Sequence, residues 1–409
     1  MLRIRLLLIL FTIVLYASCR GASNKPPVGE WDASVVTPSG GRVDFRLRLE
    51  ATPSGMKGLL VNGDESNEST SGSFDGNVLR LGFDYYDAKL EATLRGDQLE
   101  GSFTRQWRHE TLARSFAARR AQPRDMVPAG EFSRFKGNWV IRVTERGKEQ
   151  LSELSLTEGA GEIRATVMSL SGDWGTFTGR IEKGDLVLTR FDGINARLLR
   201  ARQKDDQIEG IIDMGTRVAP VEFKGERANA ANLSNLPDPA TATRMRNRSE
   251  PFHFSFVDFD GNLLASTDSR FTDKVVIVTI TGSWCPNCHD EAPFLQELYD
   301  RYHGQGLEII GLAFEYTGDA GRDAEQVRSF ARRHRLTFPI LLAGTTDEGD
   351  LLRKLPQIEN FSGYPTTIYI GRDGLVKHIH AGFEGRATGE RFTRLKVKIE
   401  ETVKSLLAE

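Results

Sequence analysis

The residues whose types and spacing could do chemistry are Cys285 and Cys288, in the stretch Ser283-Trp284-Cys285-Pro286-Asn287-Cys288. Two thiols separated by two residues can close a reversible disulfide, and a thiolate attacks disulfides through a mixed-disulfide intermediate. Pro286 suits the first turn of a helix, where its missing N–H has no cost. Cys285 would then lie at a helix N-terminus, where free N–H groups favour a thiolate. We expect Cys285 to be the nucleophile and Cys288, one turn later and more covered, to resolve the mixed disulfide.

Cysteine usage supports an active pair. The chain has three cysteines, and if Cys19 near the N-terminus is lipidated or removed, the remaining two form one C-x-x-C. A secreted protein that used disulfides as cross-links would distribute them over its domains. The pair is therefore expected to be redox-active.

The elements around the pair predict an α/β region. Val275 to Ile280 is a continuous apolar, β-branched run, which is typical of a strand buried on both faces. A helix is predicted from Pro286 to His303, and a second buried strand from Leu307 to Phe314. Predicted strands and helices continue to alternate up to a last helix, Thr388 to Leu407, which has apolar residues at helical spacing. Strands alternating with helices predict a central mixed sheet with helices packed on it.

At this point residues 251–409 resemble the thioredoxin superfamily, specifically the TlpA/ResA-like extracytoplasmic thiol–disulfide oxidoreductases. The stretch Trp284-Cys285-x-x-Cys288-x-x-Glu291-x-Pro293 fits that family's signature at each fixed position. Pro293 falls inside the helix, where family members bend their active-site helix. The resemblance covers about 160 residues and says nothing about residues 28–228.

The resemblance implies further site residues. Tyr364-Pro365-Thr366 precedes a strand, where the family places a cis-proline whose preceding backbone pairs with an extended substrate. Trp284 and Tyr364 are then the expected client-binding residues. Glu315 ends a strand, where ResA-like proteins carry a glutamate beneath the cysteines, and it is expected to take the proton from Cys288. Thioredoxins place an aspartate six residues before the first cysteine, but this chain has Thr279 there.

Three other chemistries also use cysteine in short sequence motifs. Cys285-Pro286-Asn287-Cys288-His289 also spells the C-x-x-C-H attachment motif of c-type haem, with His289 as a ligand, although His289 is otherwise expected on the surface of the helix. A peroxiredoxin would need a P-x-x-x-T-x-x-C context, which the sequence lacks. A zinc site would need histidines from elsewhere in the chain. We expect no metal and no dissociable cofactor.

The N-terminus predicts export. Arg3 and Arg5 precede an apolar run of 11 residues, Leu6 to Tyr16, which is too short for a membrane span of about 20 residues. The ending before Cys19 resembles a bacterial lipobox, although Tyr16 stands where leucine is usual. We expect a lipoprotein-type signal peptide over 1–18, lipidation of Cys19 and a tether over 19–27. The mature protein would face the periplasm, anchored to a membrane.

Residues 28–228 are predicted to be all-β, because short apolar/polar alternations are separated by Gly-containing turns. The region repeats itself: Trp31 matches Trp139, 108 residues later, and Gln98-Leu99-Glu100-Gly101 matches Gln207-Ile208-Glu209-Gly210. We expect a duplicated β-rich domain over 28–228, a linker over 229–250 and the thioredoxin-like domain over 251–409.

Net charge gives no reason to expect nucleic acid, because 54 basic and 56 acidic side chains nearly balance. The expected partners are client proteins with disulfides and, by family resemblance, a membrane electron carrier of the DsbD/CcdA type. The expected function is reduction of client disulfides outside the cytoplasm. The alternative is a surface binding or scaffold module in residues 28–228, with the redox domain as an accessory.

Overall fold

A computed structural model of the chain describes residues 25–123, 129–145, 148–159, 161–216 and 218–409. The predicted signal peptide, Cys19 and most of the tether lie outside the described residues. Within the described part of the chain, no helix is long and apolar enough to cross a membrane.

The first sheet, called sheet 1, is antiparallel, and nearly all of its neighbouring strands are also consecutive in the chain. In the strand Arg42–Thr52, apolar and polar residues alternate, and this alternation places Val43, Phe45 and Leu47 in the core of the sheet. The first strand pairs with both the second and the last, and the strands at the two ends of the sheet follow each other in the chain, so the sheet curls round its core. Its strands are Gly29–Val36, Arg42–Thr52, Gly55–Asn62, Glu65–Glu68, Ser71–Asp75, Val78–Phe83, Ala88–Arg95, Gln98–Trp107 and Glu110–Arg120.

Sheet 2 has nine antiparallel strands as well, and it closes on itself because Lys148–Gly159 pairs with strands on both sides, Gly137–Glu145 and Glu162–Ser169. Its strands are Gly137–Glu145, Lys148–Gly159, Glu162–Ser169, Gly172–Asp173, Phe177–Glu182, Asp185–Phe191, Ala196–Lys204, Gln207–Asp213 and Val221–Arg227. Sheets 1 and 2 together form the all-β N-terminal region.

The predicted linker contains ordered structure. Two short helices, Ala230–Leu233 and Pro239–Ala242, precede a strand of two residues, Arg244–Met245, which pairs with Ile358–Glu359. The Met245 side chain is buried in the core of the C-terminal domain. The end of the segment predicted as linker therefore packs as part of that domain.

Sheet 3 organises the C-terminal domain. Three parallel strands, Val275–Thr281, Leu307–Glu315 and Ile340–Thr345, form its centre, and antiparallel strands extend it on both sides. The outer strands are Leu263–Ala265, Ser255–Asp258, Thr366–Ile370 and Val376–Ala381.

Helices cover both faces of sheet 3, which explains the continuous apolar run in the strand Val275–Thr281. Val275 and Ile277 pack on one face with the long helices, while Val276, Val278 and Ile280 pack on the other. The helices of the domain are Pro286–Tyr302, Ala320–His334, Glu348–Lys354 and Glu390–Ala408. One further short helix, Ala129–Phe132, leads into sheet 2, and 3-10 turns occur at Asp84–Tyr86, Ser269–Phe271, His303–Gln305 and Arg386–Thr388.

Candidate active site

The two cysteines lie where Val275–Thr281, one of the three central strands of sheet 3, is followed by the helix Pro286–Tyr302. Cys285 is the N-cap residue of that helix, and its Sγ accepts a hydrogen bond from the Cys288 N–H at 3.3 Å. Both thiols are free and buried, with Cys285 4% and Cys288 1% exposed. Burial raises the pKa of the Cys288 thiol well above its usual value. Cys288 therefore needs a proton acceptor before it can attack.

Trp284 and Tyr364 frame Cys285. The Trp284 indole N–H donates to the carbonyl of Phe314 at 2.9 Å, and its ring stacks on Tyr316 with 4.7 Å between centroids. The Tyr364 ring meets the Trp284 ring edge-on at 5.1 Å. The Cys285 thiol lies 3.6 Å from the carbonyl oxygen of Tyr364, and the Tyr364–Pro365 peptide bond is cis.

Glu315 is buried and is engaged on both carboxylate oxygens by one residue. The backbone N–H of Ser283 donates to Oε1 and the Ser283 hydroxyl to Oε2, each at 2.7 Å. Burial raises the pKa of Glu315 to about 8. Because Ser283 stands two residues before Cys285, Glu315 holds the backbone that leads into the active-site turn.

A second buried carboxylate, Glu291, lies on the same side of the helix as Cys288. Its oxygens accept hydrogen bonds from the hydroxyls of Thr279, at 2.8 Å, and Thr367. Burial raises the pKa of Glu291 to about 7, against these hydrogen bonds, which lower it. Cys288 and Glu291 line one small cavity of about 10 Å³, together with Thr279 and Thr281. That is about the space one water molecule needs.

Glu291 was quoted in the sequence motif but was given no role. The signal that could have revealed it is its position three residues after Cys288, since residues three apart lie on one face of a helix. Thr279, noted only because it replaces an aspartate, is one of the two hydroxyl partners of Glu291.

His289 is buried, and the prediction of a surface residue was wrong. Its Nε2–H donates to the carbonyl of Ser283 at 2.8 Å, and its Nδ1 lies 2.7 Å from His334 Nε2. The rings of Tyr85 and Tyr86, from the 3-10 turn between two strands of sheet 1, contact its imidazole edge-on. Burial lowers the pKa of His289 well below its usual value. Because both ring nitrogens are engaged within the protein, His289 does not fit the role of a haem ligand.

Within the described ranges, no group of three or more His, Cys, Asp or Glu side chains is arranged to hold a metal ion.

Known proteins match the C-terminal domain. Residues 246–392 match the family model described as Redoxin. "Thiol-disulfide oxidoreductase ResA" of Geobacillus thermodenitrificans (strain NG80-2) is 35% identical over 131 residues, which are 31% of this chain and 66% of that protein. "Thioredoxin-like protein YneN" of Bacillus subtilis (strain 168) is 30% identical over 128 residues, which are 31% of this chain and 68% of that protein.

A solved structure was matched as well. The "thiol:disulfide interchange protein, thioredoxin family protein" from Chlorobium tepidum TLS aligns with 39% of this chain and 97% of its own length, at 23% identity and a TM-score of 0.29. The chain thus spans just under two thirds of the length of the Geobacillus relative. Sheets 1 and 2 lie outside the residues that the family model matches.

Proposed function

Because this chain belongs to the TlpA/ResA-like group of the thioredoxin superfamily, we propose that it exchanges disulfides with client proteins through Cys285 and Cys288. The observation that carries the proposal is the arrangement of the two thiols. Cys285 caps a helix N-terminus beside the Tyr364 carbonyl, and Cys288 lies one turn behind it. Such a pair can accept and return two electrons without a dissociable cofactor.

The first step joins the client to the protein. The Cys285 thiolate attacks one sulfur of the client disulfide, so that the client S–S bond breaks and a bond from Cys285 to that sulfur forms. The other client sulfur leaves as a thiolate and takes up a proton. Trp284 and the backbone before Pro365 are the proposed docking residues for the client.

The second step releases the client. Cys288 loses its proton and attacks Cys285, which closes the Cys285–Cys288 disulfide and frees the second client sulfur as a thiolate, which is then protonated. Glu315 was expected to accept the Cys288 proton, but its hydrogen bonds tie it to Ser283 before Cys285, and it is not among the residues that line the small cavity beside Cys288. We assign the proton to Glu291, which shares the small cavity with Cys288.

The proposed direction of the exchange is reduction of the client disulfide. A two-electron donor then reduces the Cys285–Cys288 disulfide again. By family resemblance that donor is a membrane carrier of the DsbD/CcdA type.

We place this chemistry outside the cytoplasm, on a protein anchored through lipidated Cys19. Chemical analysis of the mature N-terminus tests the anchor, because an unmodified or absent Cys19 would contradict it.

We also propose that sheets 1 and 2 are two copies of one unit. Support comes from matching contacts: the Trp31 indole N–H donates to the carbonyl four residues earlier, and Trp139 does the same. Arg120 lies over the Trp31 ring at 4.3 Å, and Arg227 lies over the Trp139 ring at 3.9 Å.

A trapping experiment tests the proposed exchange. Replacing Cys288 with serine removes the resolving thiol, so Cys288→Ser should accumulate mixed disulfides between Cys285 and client proteins. Non-reducing electrophoresis followed by mass spectrometry would detect these adducts. They should disappear on treatment with dithiothreitol, because thiol exchange reverses them.

Cys285→Ser is the matched control and should yield no adducts and no turnover of a protein disulfide. A Cys288→Ser protein that turns over at the wild-type rate would contradict the two-step scheme, as would adducts formed through Cys288 alone.

A further inference from the structure

A segment of sheet 2, Ser171–Asp173, lies directly against the active site. The carbonyl of Ser171 accepts a hydrogen bond at 2.9 Å from the side-chain amide of Asn287, which stands between the two cysteines. Gly172 forms a parallel β-bridge with Phe383 of the C-terminal domain. The segment therefore pairs through its backbone with a domain that begins about 80 residues later in the chain.

Glycines make this approach possible. A Cβ on Gly172, whose φ is +106°, would lie 2.3 Å from the Phe383 oxygen and 2.3 Å from Asn287 Nδ2. A Cβ on Gly382 would lie 2.5 Å from the Gly172 nitrogen, and a Cβ on Gly363 would lie 2.8 Å from the Ser171 Cβ. The two backbones thus touch with no room for a side chain between them.

The surface under this segment borders the catalytic cysteine. The Gly382 N–H donates to the carbonyl of Pro365 at 2.7 Å, and the preceding residue, Tyr364, has its carbonyl 3.6 Å from the Cys285 sulfur. We call the surface formed by Asn287, Gly363, Pro365, Gly382 and Phe383 the docking strip. An extended client backbone that brings its disulfide to Cys285 would have to run along this strip.

A buried carboxylate anchors the segment at its end. Asp173 is 2% exposed, and its oxygens accept hydrogen bonds from the backbone N–H groups of Gly175, at 2.7 Å, and Gly385. Gly385 belongs to the C-terminal domain, so this one side chain joins sheet 2 to it. The Arg391–Glu153 ion pair links the same two parts of the chain.

Sheet 1 and its turn Asp84–Tyr86 contact other residues next to the cysteine pair. Trp284 packs against the core of sheet 1. Arg322 donates to Asp87 with two nitrogens, at 2.6 and 3.1 Å, and the Arg333 guanidinium lies 3.8 Å from the centre of the Tyr85 ring. Contacts with the β-rich region thus involve Asn287 and Trp284, the neighbours of the two cysteines, and Cys285 is 4% exposed.

We propose that the β-rich region is a cover for the active site, and that Ser171–Asp173 occupies the docking strip in place of a client. The client is an extended polypeptide segment, because only an extended backbone can replace the parallel bridge that Gly172 makes with Phe383. This proposal rests on the proposed function in one respect: the ligand that competes with Ser171–Asp173 is taken to be a client protein. A covered site binds its ligand with an affinity reduced by the fraction of molecules that are open.

The first test measures how fast iodoacetamide alkylates reduced Cys285 in the full chain. Gly172→Ala puts a methyl group into the Phe383 backbone and should displace the segment, so alkylation should accelerate about tenfold as the open fraction rises. Gly40→Ala is the matched control: Gly40 also has a positive φ, +88°, but has no atom within 4 Å of a Cβ. Gly40→Ala should react at the wild-type rate.

Circular dichroism would show whether Gly172→Ala is folded. If it is folded and its Cys285 is alkylated at the wild-type rate, the proposed cover is wrong. Alkylation needs no client and no disulfide, so this result is separate from the proposed function. That function would fail independently if the wild-type pair formed no reversible disulfide.

The second test needs no destabilising change. In Cys288→Ser, a flexible cysteine-containing peptide is attached to Cys285 as a mixed disulfide, and hydrogen–deuterium exchange of residues 170–175 is compared with and without the peptide. The proposal expects faster exchange there when the peptide is attached, with the turn at residues 37–41 unchanged. Equal exchange of residues 170–175 in both states would overturn it, because segment and peptide would then not share the strip.

Discussion

Two carboxylates are buried near the cysteine pair, and their hydrogen bonds give them different tasks. Glu315 is held by Ser283 and positions the turn that carries Cys285. Glu291 is held by two threonine hydroxyls and lines the cavity that Cys288 also lines. Burial raises the pKa of Glu291 to about 7, which is close to the operating pH that suits a general base.

Glu291→Gln should slow closure of the Cys285–Cys288 disulfide by about 10²-fold or more, the range of general-base effects. A carboxylate must be deprotonated to accept the Cys288 proton, so the wild-type rate should rise as pH increases through about 7, the raised pKa of Glu291. Glu291→Gln should lose that rise. Stopped-flow measurement of tryptophan fluorescence against pH, to which Trp284 beside the cysteines contributes along with four other tryptophans, would record both effects.

Glu297→Gln is the control for this prediction, because Glu297 lies on the same helix with 53% of its side chain exposed. It should keep both the rate and the pH profile. If Glu291→Gln kept the wild-type dependence of the closure rate on pH, another group would be the general base, and Glu315 would be the first to examine.

Residue types and local spacing were enough to find Cys285, Cys288 and Trp284, since they are neighbours in one motif. The roles of Glu291 and His289 depend on partners far away in sequence. Glu291 is paired with Thr367, 76 residues later. His289 is contacted by Tyr85 and Tyr86, which lie about 200 residues earlier in the 3-10 turn Asp84–Tyr86. No local pattern contains such contacts.

At the level of elements, periodicity predicted the C-terminal strands and helices to within a few residues. The active-site helix was predicted over Pro286–His303 and ends at Tyr302, where a 3-10 turn takes over. The last helix begins at Glu390 instead of Thr388, because a 3-10 turn over Arg386–Thr388 and Gly389 precede it. Hydrophobic spacing does not distinguish such a turn from the first turn of a helix.

The proposed duplication makes a prediction about two glycines that face the neighbouring strand. A Cβ on Gly101 would lie 2.0 Å from the Glu91 carbonyl oxygen, and a Cβ on Gly210 would lie 1.8 Å from the Arg200 carbonyl oxygen. Gly101→Ala and Gly210→Ala should therefore each lower the free energy of unfolding by about 1–3 kcal/mol, the usual cost of overpacking. Urea unfolding followed by circular dichroism would measure both.

Gly130→Ala is the control in the same region, because a Cβ there has no atom within 4 Å and Gly130 lies in a short helix. It should be neutral or slightly stabilising, since alanine favours a helix over glycine by about 1 kcal/mol. If Gly101→Ala greatly lowered the free energy of unfolding and Gly210→Ala did not, the two glycines would not occupy equivalent positions in the two sheets.

At the scale of the whole molecule, the sequence predicted an all-β region followed by a thioredoxin-like domain, and the fold classes of both are as expected. It did not predict that the first region packs against residues next to the cysteines of the second. That arrangement depends on contacts such as Ser171 with Asn287 and Asp173 with Gly385, which join residues more than 100 positions apart. Separate expression of the C-terminal domain would remove these contacts, so activity should be studied in the full chain.

The most direct test of the central claim is a redox titration of the full chain, with Cys285 and Cys288 detected by the mass added on alkylation. We predict one reversible two-electron transition between dithiol and disulfide, with a midpoint nearer the thioredoxin value of about −270 mV than the DsbA value of about −120 mV. A midpoint near −120 mV would contradict the reducing direction. If the pair forms no reversible disulfide at any potential, the proposed thiol–disulfide exchange is wrong.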